Sequence, residues 1–139
     1  MEIIANAVQT VAANQNVYFT DTVTNGSAYI AHREGSGLVT VKGMTDQCRA
    51  RYRVGFSGNI AVPTDGTAAP ISLAIAIDGE YIPSTTMTVT PTVVDAYFNI
   101  SSGTFVDIIK GCCSTISVQN IGTAAVNVAN ANLTIERVA

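Results

Sequence analysis

Charge is what this sequence has least of. Seven basic and ten acidic residues make up 12% of its 139 residues, about half the share usual for a soluble domain. Because 47% of the residues are hydrophobic, such a chain covers its own surface poorly, and we expect much of that surface to be buried against copies of itself or another protein. The net charge of −3 and the lack of a basic stripe beyond Arg49, Arg51 and Arg53 argue against nucleic-acid binding.

Membrane-spanning and secretory segments are also lacking. No apolar run approaches the roughly 20 residues needed to cross a bilayer. The N-terminal sequence MEIIANAVQT has no basic segment followed by a long apolar one, so it does not have the pattern of a secretory signal peptide. We therefore predict no membrane partner, synthesis in the cytoplasm and, if the protein is released, release by a route such as cell lysis.

The residue patterns of common active sites are absent as well. His32 is the only histidine, and Ser36 lies in Gly-Ser-Gly, which lacks the strand–turn–helix setting of a nucleophile elbow. The carboxylates occur singly, whereas a glycosidase needs two that converge, although a calcium site built from several loops stays open as an alternative. We predict that the protein is not an enzyme and that it has no catalytic residues, no cofactor and no resident metal.

The three cysteines, Cys48, Cys112 and Cys113, are too few for a recognisable structural zinc site with one histidine. One interpretation is a disulfide from Cys48 to Cys112 or Cys113, which would form only after the chain leaves a reducing cytoplasm. The other, which we favour, is that the cysteines are buried free thiols that pack as small apolar side chains.

What the chain does contain is a succession of short strands. Residues 71–89 read as a hairpin around Asp78-Gly79, a pair that supplies the positive φ angles of a type I′ turn. Four apolar residues alternate with small or polar ones before that turn, which is the period of a strand with one buried face. These four are Ile71, Leu73, Ile75 and Ile77.

A second strand is predicted at residues 49–56, with Tyr52 and its alternate neighbours facing inward and the three arginines facing outward; it can continue to residue 62. Six other patterns predict strands of similar length, with a turn at residues 101–103 separating two of them. Those predicted strands are residues 16–24, 38–42, 95–100, 104–109, 125–129 and 132–138, and two more are predicted at 27–32 and 114–119.

These patterns give about nine or ten short strands and no convincing helix, which predicts an all-β protein, an antiparallel β-sandwich or barrel. We divide the chain into an N-terminal segment, residues 1–15, and a single domain, residues 16–139. The first segment is predicted to be extended, with a short helix as the alternative.

Residues 49–138 resemble the trimeric jelly roll of tumour necrosis factor and the globular heads of complement collagens. The resemblance lies in RARYRVGF, LAIAIDGEYIPST, FVDIIKGCCSTISVQN and ANLTIERV, although Lys110-Gly111-Cys112 lacks the family's Asp after Gly and the last strand lacks its usual aromatic residue. The resemblance implies a jelly roll whose homotrimer buries one sheet of each subunit around a three-fold axis. It makes Tyr52, Tyr97, Phe98 and Phe105 candidates for the trimer interface, with burial in the core of the subunit as the alternative for each.

The whole chain, including MEIIANAVQTVAANQNV, HREGSGLVT and LTIERVA, resembles short proteins of phages and prophages of Gram-positive gut bacteria. This resemblance implies a non-enzymatic capsid decoration or head-fibre protein, located on the capsid exterior of the virion, that binds the major capsid protein and stabilises the shell. The N-terminal segment would then be a candidate for contact with the shell or with a neighbouring subunit. The alternative function is a trimeric receptor- or glycan-binding head of a phage fibre or bacterial surface protein, with a surface glycan as its partner.

Overall fold

The computed structural model describes residues 1–25, 29–43, 48–109 and 113–138. These residues form twelve strands and one short 3₁₀ helix, at Pro83–Thr85. The strands are β1 (Glu2–Ala5), β2 (Gln9–Val11), β3 (Asp21–Thr24), β4 (Ile30–His32), β5 (Val39–Lys42), β6 (Arg49–Ala61), β7 (Ile71–Ile77), β8 (Glu80–Tyr81), β9 (Met87–Val89), β10 (Phe98–Ile109), β11 (Cys113–Asn120) and β12 (Val126–Arg137). Within the described part of the chain, no helix is long and apolar enough to span a membrane.

The strands form two six-stranded sheets. Sheet A has the order β10-β6-β12-β1-β3, with β2 also pairing with β12. Sheet B has the order β4-β5-β11-β7-β8, with β9 also pairing with β7. Every pairing is antiparallel, and the chain passes repeatedly from one sheet to the other. The protein is therefore an all-β sandwich, as predicted.

One hydrophobic core fills the space between the sheets. Sheet A contributes side chains such as Tyr52 and Leu133, and sheet B contributes Leu73, Ile75 and Val118, all fully buried. Burying a large aliphatic or aromatic side chain stabilises the fold by about 1.5–3 kcal/mol, so this layer is the main source of stability. The predicted inward orientation of Tyr52 and its alternate neighbours on β6 is confirmed.

The predicted hairpin is present as β7 and β8. Asp78 and Gly79 have φ angles of 52° and 87°, which matches the type I′ turn expected for this pair. The Asp78 carboxylate also accepts a hydrogen bond of 2.9 Å from the backbone N–H of Thr115, which ties the turn to β11. The burial differs in detail from the prediction, because Ala74 and Ala76 are also buried and Ile77 is only half-buried. Strand β7 is an interior strand, so its neighbours shield small side chains on both of its faces.

Two predicted breaks are wrong. The turn at residues 101–103 does not form, because every residue of β10 is aligned with a partner in β6, and Gly103 lies opposite Gly55 in the extended ladder. The strands predicted at residues 125–129 and 132–138 are one strand, β12, with an irregularity between Ala129 and Asn132. Asn130 adopts a φ of 53° there, a left-handed conformation that asparagine tolerates better than most residues, and the strand continues past it.

The first fifteen residues contain two strands of sheet A. Strand β1 lies between β12 and β3, and β2 pairs with the start of β12. Ile3 and Val11 are buried in the common core. The N-terminal segment therefore contributes side chains to the same core as the residues that follow it. The strand predicted at residues 16–24 is shorter, since only Asp21–Thr24 pairs as a strand.

Candidate functional site

The outward face of sheet A, which we call the A face, holds the three arginines of β6 and Phe105. Buried and exposed residues alternate along β6, as they must in a strand with one face on a core. The outward residues are Arg49, Arg51, Arg53, Gly55, Ser57 and Asn59. Along β6 the outward side chains therefore change from charged at one end, through a glycine, to uncharged and polar at the other end.

The charged end is organised around Asp107 of β10, which lies opposite Arg51 of β6. Arg51 donates from Nε and Nη2 to the two carboxylate oxygens, over 2.9 and 3.3 Å, and Arg49 lies 3.5 Å away. The hydrogen bond from Arg51, helped by the charges of both arginines, holds the pKa of Asp107 below its ordinary range. The same hydrogen bond raises the pKa of Arg51.

Arg53 continues this arginine row and has no such partner. It lies between Phe105 of β10 and Glu136 of β12 in the ladder. Within the described part of the chain, neither Arg53 nor Glu136 forms an ion pair or a side-chain hydrogen bond. Both charged groups are therefore available to an external ligand.

Large apolar side chains are exposed along β10, an edge strand of sheet A, and directly before it. The exposed fraction is 42% for both Tyr97 and Phe98, 62% for Phe105 and 67% for Ile109. Three of the four predicted interface candidates are therefore on the surface. The fourth, Tyr52, is a correction: it is fully buried in the core of the subunit, which was the alternative left open for it.

A groove crosses the middle of the A face. Its floor is formed where Gly55 and Gly103 lie opposite each other, because neither residue places a side chain there. A Cβ added at Gly103 would lie 3.3 Å from the carbonyl oxygen of Val54. The groove has a volume of about 1000 Å³ and is lined by residues that include Met1, Glu2, Arg53, Ser101, Phe105, Thr134 and Glu136.

The uncharged end of the A face is occupied by asparagines. The amide of Asn99 donates to the side-chain oxygen of Asn59 over 3.1 Å, and that of Asn59 donates to Asn130 over 3.3 Å. Asn132 donates to one carboxylate oxygen of Glu2 over 2.6 Å. These hydrogen bonds fix the polar side chains at this end of the A face.

The other candidate residues do not assemble into a catalytic site. His32 is half-buried, with Nε2 2.9 Å from the carbonyl oxygen of Ser36 and its ring edge-on to Phe19, so it holds the turn between β4 and β5. In the residues that the structure describes, no three His, Cys, Asp or Glu side chains converge as metal ligands.

Two of the cysteines can be placed. Cys48 and Cys113 are free and exposed, so the bridge between these two is not present. Burial is also the wrong prediction for both, because Cys48 lies directly before β6, Cys113 is the first residue of β11, and both are exposed to solvent. Cys112, like the Lys110-Gly111 pair before it, lies outside the described residues.

No protein-family model matches the sequence, and no curated protein matches it. Among solved structures, the globular domain of zebrafish complement 1qA protein superposes with a TM-score of 0.61 at 13% identity, covering 96% of this chain and 93% of that one. The EclA C-terminal domain, described as a sugar-binding protein, gives 0.43 at 15% identity over 95% and 79% of the two chains. A family 35 carbohydrate binding module from Clostridium thermocellum gives 0.37 at 15% over 95% and 90%.

The first of these similarities defines the fold. The chain is an antiparallel sandwich with the jelly-roll architecture of the tumour-necrosis-factor and complement-head type, and this part of the sequence prediction is confirmed.

Sequence reasoning missed the groove. The signal for it was a glycine inside each of two alternating strands, which often marks a close approach or a bare patch on a sheet.

Proposed function

We propose that this protein is a non-catalytic subunit that acts as a homotrimer, with β10 at the contact between subunits. The observation that supports this proposal is the exposed edge of sheet A. Strand β10 is twelve residues long, no described strand pairs with its outer side, and it exposes Phe98, Phe105 and Ile109. Tyr97, directly before the strand, adds a fourth exposed apolar side chain.

An edge of this kind is a liability for a monomer. Unpaired N–H and C=O groups along an edge strand recruit other chains, and monomeric proteins usually blunt such edges with charges, proline or bulges. Between Phe98 and Ile109 there is one charged residue, Asp107, and no proline, and the pairing with β6 is unbroken. Self-association into a closed ring covers this edge and accounts for the low charge of the chain.

We further propose that the trimer decorates the exterior of a bacteriophage capsid, where it binds the major capsid protein and stabilises the shell. The sequence resemblance to short phage and prophage proteins supports this role. A small, compact sandwich with few charges suits a subunit most of whose surface is covered by partners. Synthesis in the host cytoplasm and release by lysis complete the proposal.

Light scattering tests the trimer. Purified protein at micromolar and then nanomolar concentration is expected to have a mass of three times 14.5 kDa. Phe98→Ser and Ile109→Ser are expected to shift the mass towards the monomer, because each removes an exposed apolar group from β10. Val93→Ser is the matched control, since Val93 is 59% exposed but lies outside the strand. A wild-type protein that stays monomeric at micromolar concentration would disprove the trimer.

Co-sedimentation tests the capsid role. The trimer is mixed with empty capsids of a phage that encodes it beside its portal and major capsid genes. We expect the trimer to sediment with the capsids at high salt and to raise the temperature at which they break. Capsids that neither retain the trimer nor gain heat resistance would exclude decoration while leaving the trimer intact.

A further inference from the structure

We infer that the copies of the chain meet head to tail, with β10 of one copy seated on the groove over Gly55 and Gly103 of the next copy, and with Arg53 of one copy paired to Glu136 of the next. This inference rests on the proposed trimer and adds to it the surface that receives β10. It follows from the symmetry of a three-fold ring, the shape of the A face, and two charges that the A face leaves without partners.

Strand β10 cannot close a three-fold ring by pairing with its own counterpart. Two copies of one edge strand that pair with each other are related by a two-fold axis and form a dimer. In a ring of three, one surface of each copy contacts a different surface of the next copy. A trimer with β10 at its contacts therefore needs a second, separate surface on the same subunit.

The position of that second surface is restricted. The directions from one subunit of a three-fold ring to its two neighbours are about 60° apart, so both contact surfaces lie on the same side of the subunit. Phe105 and Ile109 of β10 lie opposite Arg53 and Arg49 of β6, and residues opposite each other in a ladder share a face of the sheet. The apolar side chains of β10 therefore point to the side of the A face. The A face meets the condition, whereas the outer face of sheet B and the far edge strand β3 do not.

The A face has a hollow beside β10 and a projection on it. The hollow is the groove, with a volume of about 1000 Å³ over two glycines that place no side chain there. The projection consists of Phe105 and Ile109, which are 62% and 67% exposed. The core of a protein interface is packed as densely as a protein interior, so a covered A face needs side chains in its hollow. The neighbouring copy's β10 supplies them.

The charges of the A face identify the pair that joins the copies. Most of the charged side chains beside the groove already have internal partners: Arg51 and Arg49 bind Asp107, and Glu2 accepts from Asn132. Arg53 and Glu136 are different. They lie opposite each other in adjacent strands, yet in the described residues neither forms an ion pair or a side-chain hydrogen bond.

Covering the A face makes these two charges costly unless each one gains a partner. A charge buried without a counter-ion destabilises a complex strongly. Every copy carries one cation, Arg53, and one anion, Glu136, so a head-to-tail ring pairs all of them. Arg53 lies one strand, about 4.8 Å, inside the edge formed by β10, and Glu136 lines the groove. A copy whose β10 is seated on the groove therefore brings its Arg53 to the Glu136 of the next copy.

Charge reversal tests the pair in the full chain. Arg53→Glu and Glu136→Arg each place like charges at every contact. Light scattering at micromolar concentration is expected to show each mass fall from three times 14.5 kDa to 14.5 kDa, with the concentration for half-assembly raised by at least about tenfold. The double variant is expected to regain the wild-type mass. Arg33→Glu and Glu34→Arg, at exposed positions of the turn between β4 and β5, are the matched controls and should leave the mass unchanged.

Mixing the two single variants separates a pair between copies from a pair within one copy. A copy with Arg53→Glu and a copy with Glu136→Arg join opposite charges in both orders of contact, so a mixed ring regains two of its three ion pairs. The equimolar mixture is therefore expected to assemble at a lower concentration than either variant alone. A pair formed within one subunit is restored in the double variant but not by mixing.

Filling the groove tests the receiving surface independently of charge. Thr134 is exposed and lines the groove, so Thr134→Trp occupies the space that β10 of the next copy needs. We expect this variant to keep the circular dichroism spectrum of the wild type and to lose the trimer mass. Thr123→Trp is the matched control, because Thr123 is exposed in the loop between β11 and β12.

The results distinguish the failure of this contact from the failure of the trimer. A wild-type monomer or dimer would overturn both. A wild-type trimer that keeps its mass with the charge reversals, or with Thr134→Trp, would overturn only the head-to-tail contact over the groove. A mixture of the single variants that assembles no better than either of them would also overturn it, because the ion pair would then lie within one subunit.

Discussion

The hydroxyl of Tyr52 in sheet A donates a hydrogen bond to the backbone carbonyl of Lys42 in sheet B, over 2.8 Å. The rest of the side chain is buried, so this bond joins the two layers of the sandwich at the end where β5 leaves the core. Tyr52→Phe is expected to lower the free energy of unfolding by about 1 kcal/mol, because it leaves a carbonyl without its donor. Urea unfolding measures this loss, and Tyr18→Phe, at an exposed tyrosine, should leave the midpoint unchanged.

The same tyrosine predicts a pH dependence. Burial raises the pKa of Tyr52 above its ordinary value of about 10, so the unfolded chain loses this proton at a lower pH than the folded protein does. The stabilisation is present below pH 10 and falls as the pH rises beyond it. We expect the free energy of unfolding of wild type to drop more steeply between pH 9.5 and about 11 than that of Tyr52→Phe. Parallel curves would show that Tyr52 does not contribute.

Asp107 predicts that the free energy of unfolding depends on pH in the acid range. Its pKa is lowered by Arg51, so the unfolded chain binds the proton first as the pH falls, and the stabilisation is present above about pH 4 and lost below it. Asp107→Asn should flatten the fall in stability between about pH 5 and pH 3. Asp65→Asn, in an exposed loop, is the control. A wild-type NMR titration that places the Asp107 carboxyl at its ordinary pKa would contradict this prediction.

The β7–β8 turn predicts an effect of glycine replacement. Gly79 has a φ of 87°, where an L-residue with a Cβ is strained by about 1–2 kcal/mol. Gly79→Ala is therefore expected to lower the free energy of unfolding by about that amount, as measured by urea unfolding. Gly122→Ala is the matched change, because a Cβ there would meet its nearest neighbour at an ordinary 3.4 Å. Equal losses in the two variants would show that backbone conformation is not the cause.

Two isoleucines allow substitution in the core to be compared with substitution on the surface. Ile75 is fully buried in β7, and Ile109 is 67% exposed at the end of β10. Ile75→Asp places an unpaired charge in the core and is expected to unfold the subunit. Ile109→Asp should remain folded by circular dichroism and lose only the association of subunits. Soluble Ile75→Asp with a native spectrum would mean that the strand does not face the core.

The sequence predicted the features that depend on local periodicity and turn chemistry. The Asp78-Gly79 turn and the inward face of β6 could be predicted because each depends on residues that are neighbours in the chain. The continuity of β10 could not. Its Ser-Ser-Gly stretch has the composition of a turn, but pairing with β6 across the whole strand outweighs that local preference.

The candidate surface was predictable only in part. The outward arginines of β6 followed from alternation, whereas Tyr52 was assigned both an inward face and a place among the interface candidates. The groove depends on Gly55 and Gly103 becoming neighbours, although 47 residues of chain connect them. That register is set by tertiary pairing and cannot be read from either strand alone.

The position of β12 has a consequence for folding during translation. This strand, residues 126–137, lies between β6 on one side and β1 on the other. Until these residues are synthesised, the β6–β10 pair and the β1–β3 pair do not adjoin each other in sheet A. Sheet A is therefore completed only once β12 has been made, and until then the apolar inner faces of its two halves lack the strand that unites them.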